Sequence, residues 1–338
     1  MNFSYLARRA SRAASSLIRT LGRDPIVALN FHQVIEPSSS ANLLCVSEER
    51  FDEQMAVLAR DFEVIRLDDV VSGKAYEPRK KGQKRKRRVV ITFDDGYWDT
   101  YQNALPILEK YGLPAAVFIT TGTIGTAAPF WWDELESLLI NRIPTGAKLT
   151  PLLKHYPKMP DVLSDGFVRR RLFHDLSTWF KASRPDRIKE TMEFLRGLTS
   201  APQPEEEIVA KRTVTEDELD RLAASKLIHI GSHTVNHFSL GTLTADEQRL
   251  QLSESKKYLE KRLNRKIDTI AYPFGGPLDY NGDTLDVAKE LGYRIGMTTE
   301  PGLMVKSRCP YQLPRYFVHN WRGEDFGRKL SRFYWIAG

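Results

Sequence analysis

The stretch Val89-Val-Ile-Thr-Phe-Asp94-Asp95-Gly96-Tyr97 ends an apolar run in two adjacent carboxylates and a glycine. Side chains of successive residues at a strand end diverge. Asp94 and Asp95 can therefore act differently around one point, one binding a metal while the other stays free as a base. An ordinary Asp-Gly turn is the alternative reading of this segment taken alone. A second cluster, Ile228-His-Ile-Gly-Ser-His233-Thr-Val-Asn-His237, holds two imidazoles four residues apart. On a helix that spacing puts both on one face, within reach of a single cation. Asp/His/His donors suit Zn²⁺, Co²⁺, Ni²⁺ or Fe²⁺ better than Mg²⁺ or Ca²⁺, and three protein ligands leave positions open for water and substrate.

These residues must be positioned by something, and the pattern around them alternates. Strands are expected at 26–31, 89–93, 115–120, 227–231, 269–272, 293–298 and 315–319, with helical stretches between them. Thr215 and Thr244 each open a helix with a capping box completed by Glu218 and Glu247. Such alternation implies a parallel sheet with helices outside, an α/β barrel whose chemistry sits where the strands end. Between 124 and 212 the alternation stops. Helices expected at 131–140, 167–181 and 185–198 form a helical insertion after one barrel strand. The chain thus divides into a basic amphipathic helix (1–23), a barrel (24–123 and 213–338) and the insertion (124–212).

Composition excludes several classes. No apolar run is long enough to span a bilayer. Cys45 and Cys309 stand alone, so neither a thiolate metal site nor a disulfide framework is expected. The net charge of +7 is concentrated in Arg79 to Arg88, with eight cations and no anion, and in the first 23 residues, with five arginines and no acid. The remainder is mildly acidic, so the basic balance does not indicate nucleic-acid binding. Residues 1–23 lack a signal-peptide pattern. The expectation is a cytoplasmic enzyme. Residues 1–23 and 79–88 are candidates for peripheral contact with an anionic membrane surface; docking of the helix on the protein and a solvated loop are the alternatives.

Together the two motifs resemble the polysaccharide deacetylases, the family 4 carbohydrate esterases that include chitin, chitooligosaccharide and peptidoglycan deacetylases. Further matching stretches are Tyr111-Gly-Leu-Pro-Ala-Ala-Val-Phe-Ile, Ala271-Tyr-Pro-Phe-Gly275 and Leu313-Pro-Arg315. The resemblance implies a distorted (β/α)7 barrel, with Asp94 as general base and Asp95, His233 and His237 as ligands of a divalent metal, zinc first among the four named. It implies removal of N-acetyl groups from an amino-sugar glycan or lipid-linked saccharide. An O-acetyl esterase and a glycan-binding protein with a vestigial site are the alternatives. The Tyr97 backbone N–H is a candidate oxyanion donor.

Two features depart from the commonest family pattern. The late Leu-x-His motif that supplies the acid in many members is absent. Asn30-Phe31-His32-Gln33 resembles the element of a branch carrying this histidine near its N-terminus, which makes His32 the expected acid and His319 the fallback. Ala271 replaces the arginine that orients the base in many relatives, and Arg315 is expected to reach Asp94 from another direction. Trp131, Trp132, Tyr272, Pro273 and Phe274 are expected to shape the sugar site, although Trp131 and Trp132 serve equally well to cap the insertion's own core.

Overall fold

The structure is a computed structural model that describes residues 25–36, 44–77, 86–126 and 128–336, without the side chains of 335 and 336. The helix expected at 1–23 lies outside the described residues, as does most of the basic run. Among the described residues no helix is long and apolar enough to cross a membrane.

One parallel sheet organises the chain. Its strands are β1 (Ile26–Phe31), β2 (Phe62–Val64), β3 (Arg87–Phe93), β4 (Ala115–Ile119), β5 (Ile228–Ser232), β6 (Thr269–Ala271), β7 (Ile295–Met297) and β8 (Tyr316–Phe317). The order is β8-β1-β3-β4-β5-β6-β7, with β2 added along β3. The two ends of the path approach each other where Met297 bridges Leu313, and Thr298 N–H donates to the Leu313 carbonyl at 2.8 Å. The curled sheet is a distorted seven-stranded barrel. The expectation did not include β2, which follows the helix Glu48–Asp61 without a turn residue to announce it.

The apolar runs are continuous because both faces of the central strands are buried, as parallel sheets require. Alternate residues feed different cores. Along β1, Ile26 and Ala28 join Val90, Ala116, Phe118 and Met297 on one face. Val27, Leu29 and Phe31 face the other way, where they meet Phe51, Leu58 and Phe326 of the covering helices. Each fully buried large apolar side chain contributes about 1.5–3 kcal/mol relative to exposure. The helices Glu216–Ala224 and Ala245–Leu263 open with the capping boxes expected at Thr215 and Thr244.

The insertion packs on itself. Leu135, Leu139, Leu149, Leu172, Leu176, Phe180, Met192 and Leu195 form a separate hydrophobic cluster. Half of its buried residues come from the helices Trp131–Glu136, Gly166–Lys181 and Pro185–Arg196.

Candidate active site

β3 runs straight into the first carboxylate, and the Asp94 N–H donates to the Phe31 carbonyl at the end of β1 (3.0 Å). The chain then turns left-handed at Asp95 (φ 73°) and Gly96 (φ 81°). A Cβ on Gly96 would meet Ile119 Cδ1 at 3.0 Å, so glycine suits both the dihedral and the space. This turn sends the two neighbouring carboxylates in different directions.

Asp94 is held by an arginine. Arg315 Nη1 donates to Asp94 Oδ1 and Nη2 to Oδ2, both at 2.7 Å, a bidentate pair with no exposed side-chain surface on the arginine. Asn30 Nδ2 donates to Asp94 Oδ2 at 3.0 Å. The guanidinium also donates to Asn30 Oδ1 and Thr92 Oγ1, each at 3.1 Å, and through Nε to the Thr298 carbonyl at 2.9 Å. Burial alone would raise the Asp94 carboxyl, but Arg315 and His233 outweigh it and hold it below its ordinary value. Arg315 precedes β8 rather than lying within it.

Asp95 faces the imidazoles. His237 Nε2 lies 3.1 Å and His233 Nε2 3.4 Å from Asp95 Oδ1. His233 Nδ1 donates to the Ala271 carbonyl at the end of β6 (2.8 Å), which leaves the Nε2 lone pair directed at the centre. The expected helical face is corrected here. His233 and His237 sit in a loop after β5, and left-handed residues Thr234 (φ 65°) and His237 (φ 54°) return the second imidazole toward the first. The strand ends at Ser232 with both histidines beyond it, so a reversal of the chain does what a helix would have done. Of the five non-glycine residues with positive φ among those described, four (Asp95, Thr234, His237 and Phe274) lie at this site. Each costs of order 1–3 kcal/mol, so the fold concentrates strain here.

Ligand atoms of Asp95, His233 and His237 all lie within 4.8 Å of one another, and all three residues are buried. Asp95 Oδ1 and His237 Nδ1 are buried without a hydrogen-bond partner. A hard carboxylate and two imidazoles, converging with an orphaned oxygen between them, fit a divalent cation of the zinc, cobalt, nickel or iron kind. Burial would raise the Asp95 carboxyl, yet the facing imidazoles keep it far below its usual range.

A cleft of about 330 Å³ opens over these groups, lined by His32, Asp94, Asp95, Tyr97, His233 and His237 with Trp131, Trp132 and Phe274. His32 follows β1, stacks on Phe317 (centroids 5.8 Å) and leaves Nδ1 buried without a partner. Burial pulls its pKa below the ordinary histidine value against the pull of Asp95 and Asp94. His319 does not line the cleft; its ring packs on Trp321 (5.0 Å). The Tyr97 hydroxyl donates to Asp133 Oδ2 (2.6 Å) and accepts from Trp132 Nε1 (2.9 Å), which ties the first motif to the insertion. Trp132 and Phe274 pack on His237 at 4.6 and 4.7 Å, whereas Trp131 also packs on Phe180 of the insertion core (5.2 Å). Trp131 therefore does both jobs.

Tyr272 and Pro273 are not on the cleft. Tyr272 is fully buried, stacks on Tyr280 (5.1 Å) and donates to the Tyr311 carbonyl (3.0 Å). The Pro273 carbonyl accepts from Gly275 N–H in a tight turn (2.6 Å) that presents Phe274 instead. Asn30 and Thr92 carry no expectation above, yet each is a buried polar residue in an otherwise apolar strand segment. That anomaly is the signal that could have found them.

A model of the family described as polysaccharide deacetylase matches residues 81–147 and 178–296, more than half of the chain. YxkH of Bacillus subtilis, which carries the family's name, is 25% identical over 318 residues, covering 94% of this chain and 80% of that protein. The poly-β-1,6-N-acetyl-D-glucosamine N-deacetylase of Staphylococcus aureus is 25% identical over 324 residues, covering 91% and 83%. In three dimensions the fold is similar to the Streptococcus pyogenes deacetylase PplD (TM-score 0.56, 22% identity, 90% of this chain and 97% of that one). It is also similar to IcaB of Ammonifex degensii (TM-score 0.57, 16% identity, 93% and 98%). By sequence and by fold, this chain belongs to the polysaccharide deacetylase family.

Proposed function

We propose that the chain hydrolyses N-acetyl groups on an amino-sugar glycan, with a divalent metal held by Asp95, His233 and His237. The observation that carries this reading is the separation of the two adjacent carboxylates, one clamped ionised by an arginine and the other facing two imidazoles. A bound cation would polarise the acetamide carbonyl and acidify the attacking water. Asp94 takes that water's proton. Its Oδ1 accepts from Arg315 and retains a lone pair for the transfer. Arg315 keeps the carboxylate ionised and aimed, and Asn30 fixes its plane. The Tyr97 backbone N–H supports the developing oxyanion. His32, across the cleft, delivers a proton to the departing nitrogen as the C–N bond breaks, leaving a free amine and acetate. Its burial favours the neutral ring at rest, so it must first gain that proton. Trp132 and Phe274 offer ring faces to the sugar and exclude water.

The Staphylococcus aureus relative is named for a β-1,6-linked N-acetylglucosamine polymer, which makes oligosaccharides of that linkage the first substrates to try. Acetate release should stop on chelation and return with Zn²⁺, Co²⁺, Ni²⁺ or Fe²⁺. An O-acetylated glycan run in parallel tests the choice of bond. Acetate from the O-acetylated glycan alone would overturn the N-deacetylase reading.

A further inference from the structure

The insertion grips Tyr97 from both of its ends. Where it rejoins the barrel, its main chain runs antiparallel to the active-site turn. Trp98 N–H donates to the Arg212 carbonyl (3.3 Å) and Val214 N–H to the Gly96 carbonyl (2.9 Å). Tyr97 and Thr213 face each other between these two bonds. Theirs is the pair without hydrogen bonds of its own, so the bridge leaves the Tyr97 N–H uncommitted. Where the insertion departs, Asp133 and Trp132 of the helix Trp131–Glu136 hold the other end of Tyr97, its hydroxyl, at 2.6 and 2.9 Å.

One ion pair joins the two ends. Lys211, the last residue of the helix Glu205–Lys211, places Nζ 3.2 Å from Asp133 Oδ1, with side chains 9% and 1% exposed. The ammonium also donates to Gln33 Oε1 (3.3 Å), and the Gln33 amide donates in turn to Asp99 Oδ2 and the Ala210 carbonyl, each at 3.3 Å. Lys211 is thus fixed between the residue that follows His32 and the carboxylate that holds Tyr97. With Oδ1 facing Lys211 and Oδ2 accepting from Tyr97, the Asp133 carboxylate is held in one orientation. A buried pair of this kind costs about as much in desolvation as its attraction returns, so stability is a weak reason for it. Placement of Tyr97 is a stronger one.

We infer that Lys211 and Asp133 are positioning residues for the hydrolysis, closing the insertion around Tyr97 and so fixing the turn that carries Asp95 and the oxyanion-donating N–H. The inference rests on the deacetylase reading above. An oxyanion donor acts chiefly in the transition state, so loosening it lowers kcat and leaves KM nearly unchanged.

The test uses full-length, metal-loaded protein and a β-1,6-linked N-acetylglucosamine oligosaccharide. Lys211→Met/Asp133→Leu removes the pair at nearly matched volume and leaves no lone buried charge, so it should fold. Lys211→Gln/Asp133→Asn removes the charges but keeps an acceptor for the Tyr97 hydroxyl. In the first variant kcat should fall about 10- to 100-fold, with KM within about 2-fold of the wild type. The second should recover most of that loss. Deuterium uptake by the amides of 96–98 and 212–214 gives a readout that needs no turnover. It should be about 10-fold faster in the first variant and near the wild-type rate in the second, with the barrel strands unchanged. If Lys211→Met/Asp133→Leu does not fold, Tyr97→Phe cuts the same contact and should lower kcat about 3- to 10-fold. Unchanged kcat in an active protein, equal losses in both double variants, or unchanged exchange at 96–98 would overturn the inference. Exchange that quickens as expected, with no acetate released even by the wild type, would keep the positioning of Tyr97 and overturn the deacetylase reading.

Discussion

The barrel end and the insertion meet across one cleft, yet they are built by opposite means. The barrel end gathers Asn30, Asp94, Asp95, His233, His237 and Arg315 from almost the whole described chain, and its loops hold four left-handed non-glycine residues. The insertion draws its core from a single contiguous stretch. Between Phe130 and Arg212 it has no non-glycine residue with positive φ among those described. One of its ion pairs with the barrel, Arg184 with Glu247, is half exposed. Topology thus supplies the reacting groups, and a local module shapes what reaches them. Strain is concentrated where the chemistry needs exact placement.

That contrast can be broken most severely at Arg315. Arg315→Met leaves Asp94 buried and without its cation, which should cost about 3–5 kcal/mol near neutral pH, measured by denaturant unfolding. Acetate release should fall by roughly 10²-fold or more as the base loses its orientation. The pH dependence has a definite sign. With Arg315 present the folded Asp94 carboxyl lies below its unfolded value, so its contribution is present above the unfolded value of about 4 and is lost as pH falls through the folded value. Without Arg315 burial dominates and reverses the sign. The stability gap between variant and wild type should therefore be smallest in acid and widen toward neutrality. A gap independent of pH would mean that lost packing, not the charge pair, sets the cost.

Arg315→Lys sharpens the same point with a smaller effect. The ammonium keeps the charge but cannot make the parallel pair of bonds to Oδ1 and Oδ2. Stability should be largely retained while kcat drops, and equal losses in both would argue against an orienting role. At the other end of the scale, Arg184→Met removes the insertion's pair with Glu247. That pair is half exposed on both sides, and its loss should cost no more than about 1 kcal/mol. A cost matching that of Arg315→Met would remove the distinction drawn here between the two regions.

How much of this the sequence reveals depends on the range of the interaction. The barrel strands are legible because parallel strands buried on both faces become uninterrupted apolar runs. Thr215 and Thr244 are legible because a capping box closes within four residues. The Asp94-Asp95 and His233/His237 motifs are legible as chemistry, but not their means of convergence. The imidazoles meet through two left-handed loop residues, for which Thr234 and His237 give no warning. Tyr272 and Pro273 fall away from the cleft for a related reason. The strand before them sets which side each residue takes, and that register comes from the sheet. Arg315 lies 221 positions from Asp94, and only the near-closure of the barrel brings them together.

The most direct test of the account is to separate the two neighbouring carboxylates by metal content and turnover in the same preparations. Asp94→Asn and Asp95→Asn should be assayed beside the wild type, with bound metal measured by mass spectrometry and acetate release from a β-1,6-linked N-acetylglucosamine oligosaccharide followed in parallel. Asp94→Asn should keep the wild-type metal content and lose about 10²–10⁴-fold in kcat, and Asp95→Asn should lose the metal and with it all activity. An Asp94→Asn protein that turns over at the wild-type rate would contradict the division of labour between Asp94 and Asp95. So would an Asp95→Asn protein that retains its metal in full.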